Sequence, residues 1–160
     1  MICHNIIERA IVNAGIGKMG PNGIEGVTPK VKTIAIPDPA AGQELSYTVP
    51  SGVVLLVKVF YGLLVTDATV TTRYPNLDAF DASGRQLFRI TYPGGRPANQ
   101  NNRVAFFSGA VRTSGGAYGD TNSMPADLIL LPGWEIRTAT SGMQAGDQWS
   151  NGTIYCIEWS

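Results

Sequence analysis

The sequence predicts an all-β chain: a β-sandwich or jelly-roll-like domain with an extended N-terminal arm containing a short helix. Three observations lead there. Apolar and polar residues alternate with a period of two in many runs after Lys30, dense Gly, Pro, Asn and Asp punctuation separates those runs, and no helical periodicity intervenes. At 160 residues with 44% hydrophobic content, the chain is long enough for one domain to bury a core without disulfides or a structural metal.

Residues 1–30 read as the arm. Asn5-Ile6-Ile7-Glu8 has a capping-box pattern, and Ile7, Ala10 and Ile11 follow at helical spacing, which predicts a helix over about residues 6–13. The next stretch, GIGKMGPNGIEGVTP, holds too many Gly and Pro residues for a helix or a central strand and too few charges for a solvated tail. It is expected to run extended. Ile2, Ile6, Ile7, Ile11, Ile16, Ile24 and Val27 make the arm apolar enough to lie along a neighbouring surface, so these residues are interface candidates.

Residues 31–160 form the sandwich domain. Strands are expected at Val31 to Ile36, Leu45 to Val49, Gly52 to Val65, Ala68 to Tyr74, Leu77 to Phe80, Arg85 to Tyr92, Val104 to Arg112, Asp127 to Leu131, Trp134 to Thr140 and Thr153 to Trp159. Turn chemistry divides them at Val49-Pro50-Ser51-Gly52, Asp81-Ala82-Ser83-Gly84, Pro93-Gly94-Gly95 and Leu131-Pro132-Gly133. The run Val53 to Val65 departs from simple alternation. Its odd positions are Val, Leu and Tyr, while its even positions include Val54, Leu56, Phe60 and Leu64. A strand apolar on both faces needs a second cover, from a loop, from the arm or from another subunit, which adds Leu56, Phe60 and Leu64 to the interface candidates.

Charge narrows the choice of partners. Twelve basic residues balance twelve acidic ones, and only 15% of the chain is charged, so it lacks the basic field that nucleic-acid binding requires. No apolar run approaches the ~20 residues of a membrane-spanning helix, and the N-terminus lacks the pattern of a secretion signal. Cys3 and Cys156 would then remain thiols, and Asn151-Gly152-Thr153 reads as a turn more than as a glycosylation site.

The chemical motifs point away from catalysis. Gly15-Ile16-Gly17-Lys18-Met19-Gly20 matches a dinucleotide-loop pattern, but Pro21-Asn22-Gly23 follows where a phosphate-binding helix should begin. His4 is the single histidine and lies in the arm, which opposes a histidine-activated nucleophile and a multi-histidine metal site. No cofactor is expected. The acids Asp78, Asp81, Asp120, Asp127, Asp147, Glu135 and Glu158 sit at turns and strand ends, where accepting backbone hydrogen bonds explains most of them. The aromatics Trp134, Trp149, Trp159, Tyr118 and Tyr155 can be read as a sugar-stacking platform or as packing anchors. Trp134 and Trp159 are expected in the core. Trp149, within the polar run GMQAGDQWSNG, is the candidate for a surface or partner contact.

The pattern L-P-G-W-x-I-R-T-x-T at Leu131 to Thr140, QAGDQWS at Gln144 to Ser150, and the closing Glu158-Trp159 resemble small β-rich proteins encoded among the structural genes of tailed bacteriophages. The Val49-Pro50-Ser51-Gly52 turn before a long apolar strand fits the same pattern, so the resemblance covers Tyr47 to Trp159 and leaves the arm outside it. It implies a non-enzymatic virion component, assembled in the host cytoplasm, and brings no catalytic residues. The expected function is capsid decoration or cementing, with the major capsid protein or other virion proteins as partners and self-association as a homo-oligomer, a trimer being favoured. A neck or tail connector, or fibre anchor, is the alternative reading. A carbohydrate- or receptor-binding module is the second.

Overall fold

The computed structural model describes residues 8–9, 11–13, 15–20, 23–92, 94–109 and 120–160. Twelve strands are formed: β1 (Lys18–Gly20), β2 (Gly23–Glu25), β3 (Lys30–Ile36), β4 (Ser46–Thr48), β5 (Val54–Val65), β6 (Tyr74–Phe80), β7 (Gln86–Ile90), β8 (Asn101–Ser108), β9 (Asp120–Met124), β10 (Leu128–Leu130), β11 (Glu135–Ser141) and β12 (Gln148–Trp159). A six-stranded sheet runs β3-β12-β5-β8-β9, with β10 also paired to β5, and a four-stranded sheet runs β4-β11-β6-β7. Side chains from both sheets meet in one core that includes Leu55, Phe60, Leu64, Leu77, Phe106, Ile136, Trp149 and Ile154. This is a β-sandwich, as the alternation predicted. Among the described residues no helix is long and apolar enough to cross a membrane.

In the arm, residues 8–9 and 11–13 are helical. The Gly15 amide donates to the Val12 carbonyl at 3.0 Å and the Ile16 amide to the Ile11 carbonyl at 3.2 Å, with Gly15 at φ 70°. That pair of bonds ends the helix on a left-handed residue, a conformation glycine adopts without a Cβ clash. Gly15 is thus a helix terminator. The segment after it is not simply extended, because β1 and β2 pair antiparallel into a small sheet of their own, Lys18 opposite Glu25.

The strand expected at Ala68 to Tyr74 is instead a loop, and β6 takes up Tyr74 through Phe80. Within the sandwich, β9 and the first five residues of β12, Gln148 to Gly152, form strand where the sequence predicts loop. The Leu131-Pro132-Gly133-Trp134 turn closes with Trp134 N–H on the Leu131 carbonyl at 3.0 Å and Gly133 at φ 77°. Proline followed by a positive-φ glycine is the type II turn signature.

Two bulges resolve the double-faced strand. Tyr155 pairs with Val59 and Cys156 with Val57, which leaves Lys58 as an extra residue on β5; Ser150 pairs with Leu63 and Thr153 with Tyr61, which leaves one extra residue on β12, where Asn151 has φ 53°. Each bulge flips the side-chain parity of its strand. On β5 the core residues are Leu55 and Val57 before Lys58, then Phe60 and Leu64 after it. Phe60 and Leu64 therefore fill the sandwich core and are not on the outer face, a correction to their reading as interface residues.

Candidate functional site

The outer faces of the two sheets differ sharply in chemistry. Cross-strand pairing places Val31, Ile157, Leu56 and Ile129 in one row across β3, β12, β5 and β10, on the side opposite the core residues Leu55, Val57, Leu128 and Cys156. The next row across the six-stranded sheet is Thr33, Tyr155, Val59 and Phe107, and the one after it Ala35, Thr153, Tyr61 and Ala105. No carboxylate occurs in these rows. Arg103, opposite Leu63, supplies charge further along the same face. Val31 is 65% exposed and Tyr155 44%, far more than a buried sheet surface would show.

The four-stranded sheet presents the opposite chemistry. Its outward row is Ser46, Arg137, Asp78 and Arg89. Arg89 forks onto Asp78, Nε to Oδ1 at 2.8 Å and Nη2 to Oδ2 at 2.6 Å, and Arg137 lies 4.1 Å from the centre of the Phe80 ring. Ser46 donates to Glu135 at 2.6 Å. A shallow hollow of about 530 Å³ lies here, lined by Glu44, Ser46, Arg89, Glu135, Arg137 and Thr140 among others. Its carboxylates already accept hydrogen bonds: Glu44 takes the Thr138 hydroxyl at 2.6 Å, the Thr140 hydroxyl at 3.1 Å and the Thr140 amide. Such an arrangement fixes β11 to the β3–β4 connection and positions no nucleophile beside a base.

At one end of the sandwich, a fully buried Arg73 organises the loop that replaced the expected strand. Its Nε and Nη2 each reach Asp147 at 2.9 Å, Nη1 donates to the Thr69 and Thr71 carbonyls at 2.8 Å, and Nη2 also pairs with Asp67. Both Arg73 and Asp147 are 0% exposed. Burial pushes the Asp147 carboxyl up, but hydrogen bonds from Arg73 and from the amides of Asp67 and Gln144 outweigh it and hold the group below the usual carboxylate range. Every oxygen of this pair is used within the chain, so the cluster ties loops together and offers nothing to a substrate.

Two more of the carboxylates singled out in the sequence, Asp81 and Glu158, are engaged in similar ways. Asp81 accepts from the Ser83 hydroxyl and from the Ser83 and Arg85 amides, and the Ser83 hydroxyl leads in lowering its pKa to about 2. Glu158 accepts both of its bonds from Lys32 at 2.8 Å. Among the described residues no three His, Cys, Asp or Glu side chains are grouped as a metal site would need.

The structure relocates the tryptophans. Trp149, expected as a surface contact, is 0% exposed and donates from Nε1 to the Thr140 hydroxyl at 3.1 Å. Gly62 on β5 leaves room for its ring: a Cβ there would lie 2.9 Å from Trp149 Cζ3 and 2.7 Å from Leu45 Cδ1. Trp134 packs against the core while partly exposed, and Trp159, expected as a core anchor, is also partly exposed, on the outer face opposite Val54. Of the remaining interface candidates, Leu56 is outward-facing yet only 6% exposed, Ile11 is fully buried outside the sandwich core, Ile16 and Val27 are half-buried, and Ile24 stands on β2. Ile2, Ile6 and Ile7, with Cys3, His4 and Tyr118, lie outside the described residues.

One feature escaped the sequence reading. Leu87, Phe88, Pro125, Leu128, Leu131 and Trp134 line most of an apolar groove of about 480 Å³ between β7 of one sheet and β10 of the other.

No protein-family profile matches the chain, and no curated protein matches it. Among solved structures it is similar to a chain of the T13 IBDV viral particle, at 17% identity over 88% of this chain and 34% of that one, with a TM-score of 0.33. A structure of infectious bursal disease virus Gt strain matches at 14% identity over 89% of this chain and 36% of that one, TM-score 0.27, and T=1 particles derived from the same virus match at 16%, 89% and 34%, TM-score 0.27. The chain thus spans about a third of the length of the structures it is similar to. At these scores the likeness carries no argument about what the chain does.

Proposed function

We propose that this chain is a non-enzymatic structural protein of a bacteriophage virion, a decoration or cement protein that binds the shell and its neighbours through its arm and an apolar sheet face. The observation that carries this reading is the asymmetry of the sandwich. One outer face is charged and internally paired, whereas three successive rows of the other hold no charged side chain and are mostly apolar, the composition of a surface made to be covered. The resemblance to phage structural proteins in Leu131 to Thr140 and Gln144 to Ser150 supports the virion assignment, and the separate β1–β2 sheet supports an arm that reaches beyond the sandwich.

Removing residues 1–29, which leaves β3 intact, tests the arm. The truncated protein is expected to fold and to be lost from purified particles; undiminished incorporation would sink the reading. Quantitative mass spectrometry of virions tests the location. A shell-wide copy number supports decoration, and a ring-sized one would reassign the chain to the neck or tail.

A further inference from the structure

We infer that the outer face of the six-stranded sheet is the interface between two copies of this chain. This deepens the structural reading above by naming the occupant of the face, and its test is independent of particles.

Charge comes first. The rows through Val31, Leu56, Tyr155, Val59, Phe107 and Tyr61 hold no carboxylate, so two identical faces can meet without an unpaired buried acid. The outer face of the other sheet carries Arg137, Asp78 and Arg89 in one row, charges whose desolvation a self-paired interface would have to offset.

Size comes second. Strands β5 and β12 are 12 residues each. Their neighbours β3 and β8 have 7 and 8 residues, so at about 3.3 Å per residue and about 4.8 Å per strand the four cover roughly 600 Å² in projection. Leaving out the end of β5 where Val54 and Leu56 are already buried, about 550 Å² per copy remains, or ~1,100 Å² in total, above the ~1,000 Å² that a specific interface should clear.

The edge of the sheet supports the same arrangement. One of its two outermost strands, β3, carries Lys30 and Lys32, and lysines on an edge oppose strand-to-strand addition there. Stacking face on face avoids that edge. It is also isologous and closes at two copies, so the expected assembly is a dimer in place of the trimer suggested by the sequence.

Sedimentation of the purified full chain over a concentration series tests the inference. The wild type should be a dimer, and Val31→Glu with Tyr155→Glu, at exposed positions, should raise its Kd about 100-fold or more. Leu87→Glu, on β7 of the other sheet, should leave the dimer unchanged. In the wild type, hydroxyl-radical labelling of Tyr155 should fall as concentration rises through the Kd. A wild-type monomer, a trimer, a dimer broken by Leu87→Glu alone, or labelling independent of concentration would each overturn the proposal. A dimer that is absent from particles would instead overturn the virion reading and leave this inference standing.

Discussion

Replacing Asp147 by Ala removes the charged partner of an Arg73 side chain that has no access to water. The guanidinium loses two bonds of 2.9 Å, and the amides of Asp67 and Gln144 lose acceptors at 2.9 and 2.7 Å. What remains is a buried cation held by two carbonyls and by Asp67, whose side chain is 24% exposed. Breaking such a pair by deleting one member costs about 3–5 kcal/mol. For a domain of this size each kcal/mol moves the midpoint by about 2–4 °C, so the variant should melt roughly 6–20 °C below the wild type. Urea unfolding followed by tryptophan emission measures the free energy directly. Glu135→Ala is the comparison, since its pairing with Arg137 is exposed and 3.7 Å long, and such pairs contribute about 0–1 kcal/mol. The pH dependence follows from the lowered pKa of Asp147. The stabilisation is fully present above the unfolded carboxyl value of about 3.9 and is lost as pH falls through the folded value, so the gap between wild type and variant should close in acid. A loss below about 1 kcal/mol at neutral pH would refute the account, because no buried charge left without its main partner is that cheap.

Three further outcomes are expected. Gly62→Ala should lower stability by about 1–3 kcal/mol in urea unfolding, because its Cβ would overlap Leu45 and Trp149; an unchanged midpoint would mean that the ring is not held there. With Trp134 and Trp159 both changed to Phe, the emission of Trp149 should be blue-shifted and poorly quenched by iodide, and ready quenching would place it at the surface. In a Cys3→Ser background, Cys156 should resist Ellman's reagent at pH 8 until the protein is unfolded, since burial pushes its thiol up to about 11; rapid reaction of the native protein would contradict that burial.

Local pattern made most of the sandwich legible. Strands such as β11, where Ile136 and Thr138 turn inward against Glu135 and Arg137, announce themselves through alternation, and the Pro-Gly turn before β11 does so through backbone chemistry. What stayed hidden depends on distant partners. Trp149 sits in polar company along the chain, and its burial is decided by a glycine on β5 that local reading does not connect with it. Ala68 to Tyr74 alternates as a strand should, yet the carbonyls of Thr69 and Thr71 turn to Arg73, a competition that residue spacing does not reveal. β9 reads DTNSM, with no apolar alternation, and it forms by parallel pairing along β8. The apolar face itself was visible as a strand with too many apolar positions, but the identity of the outward residues depended on Lys58.

The paired bulges carry a consequence for how the chain finds its register. Because β5 is apolar at both odd and even positions, sliding it by one residue against β12 would still bury aliphatic side chains, so hydrophobicity alone discriminates weakly between the native pairing and its neighbours. The discrimination falls to shape: Gly62 must meet the Trp149 ring, and Gly152 must leave space where a Cβ would lie 2.6 Å from Leu45 and 2.8 Å from Ile36. The two longest strands are therefore aligned like a key by its notches. Filling either glycine notch would do more than strain one fold, since it would narrow the energy gap that separates that fold from slipped pairings of the same sequence.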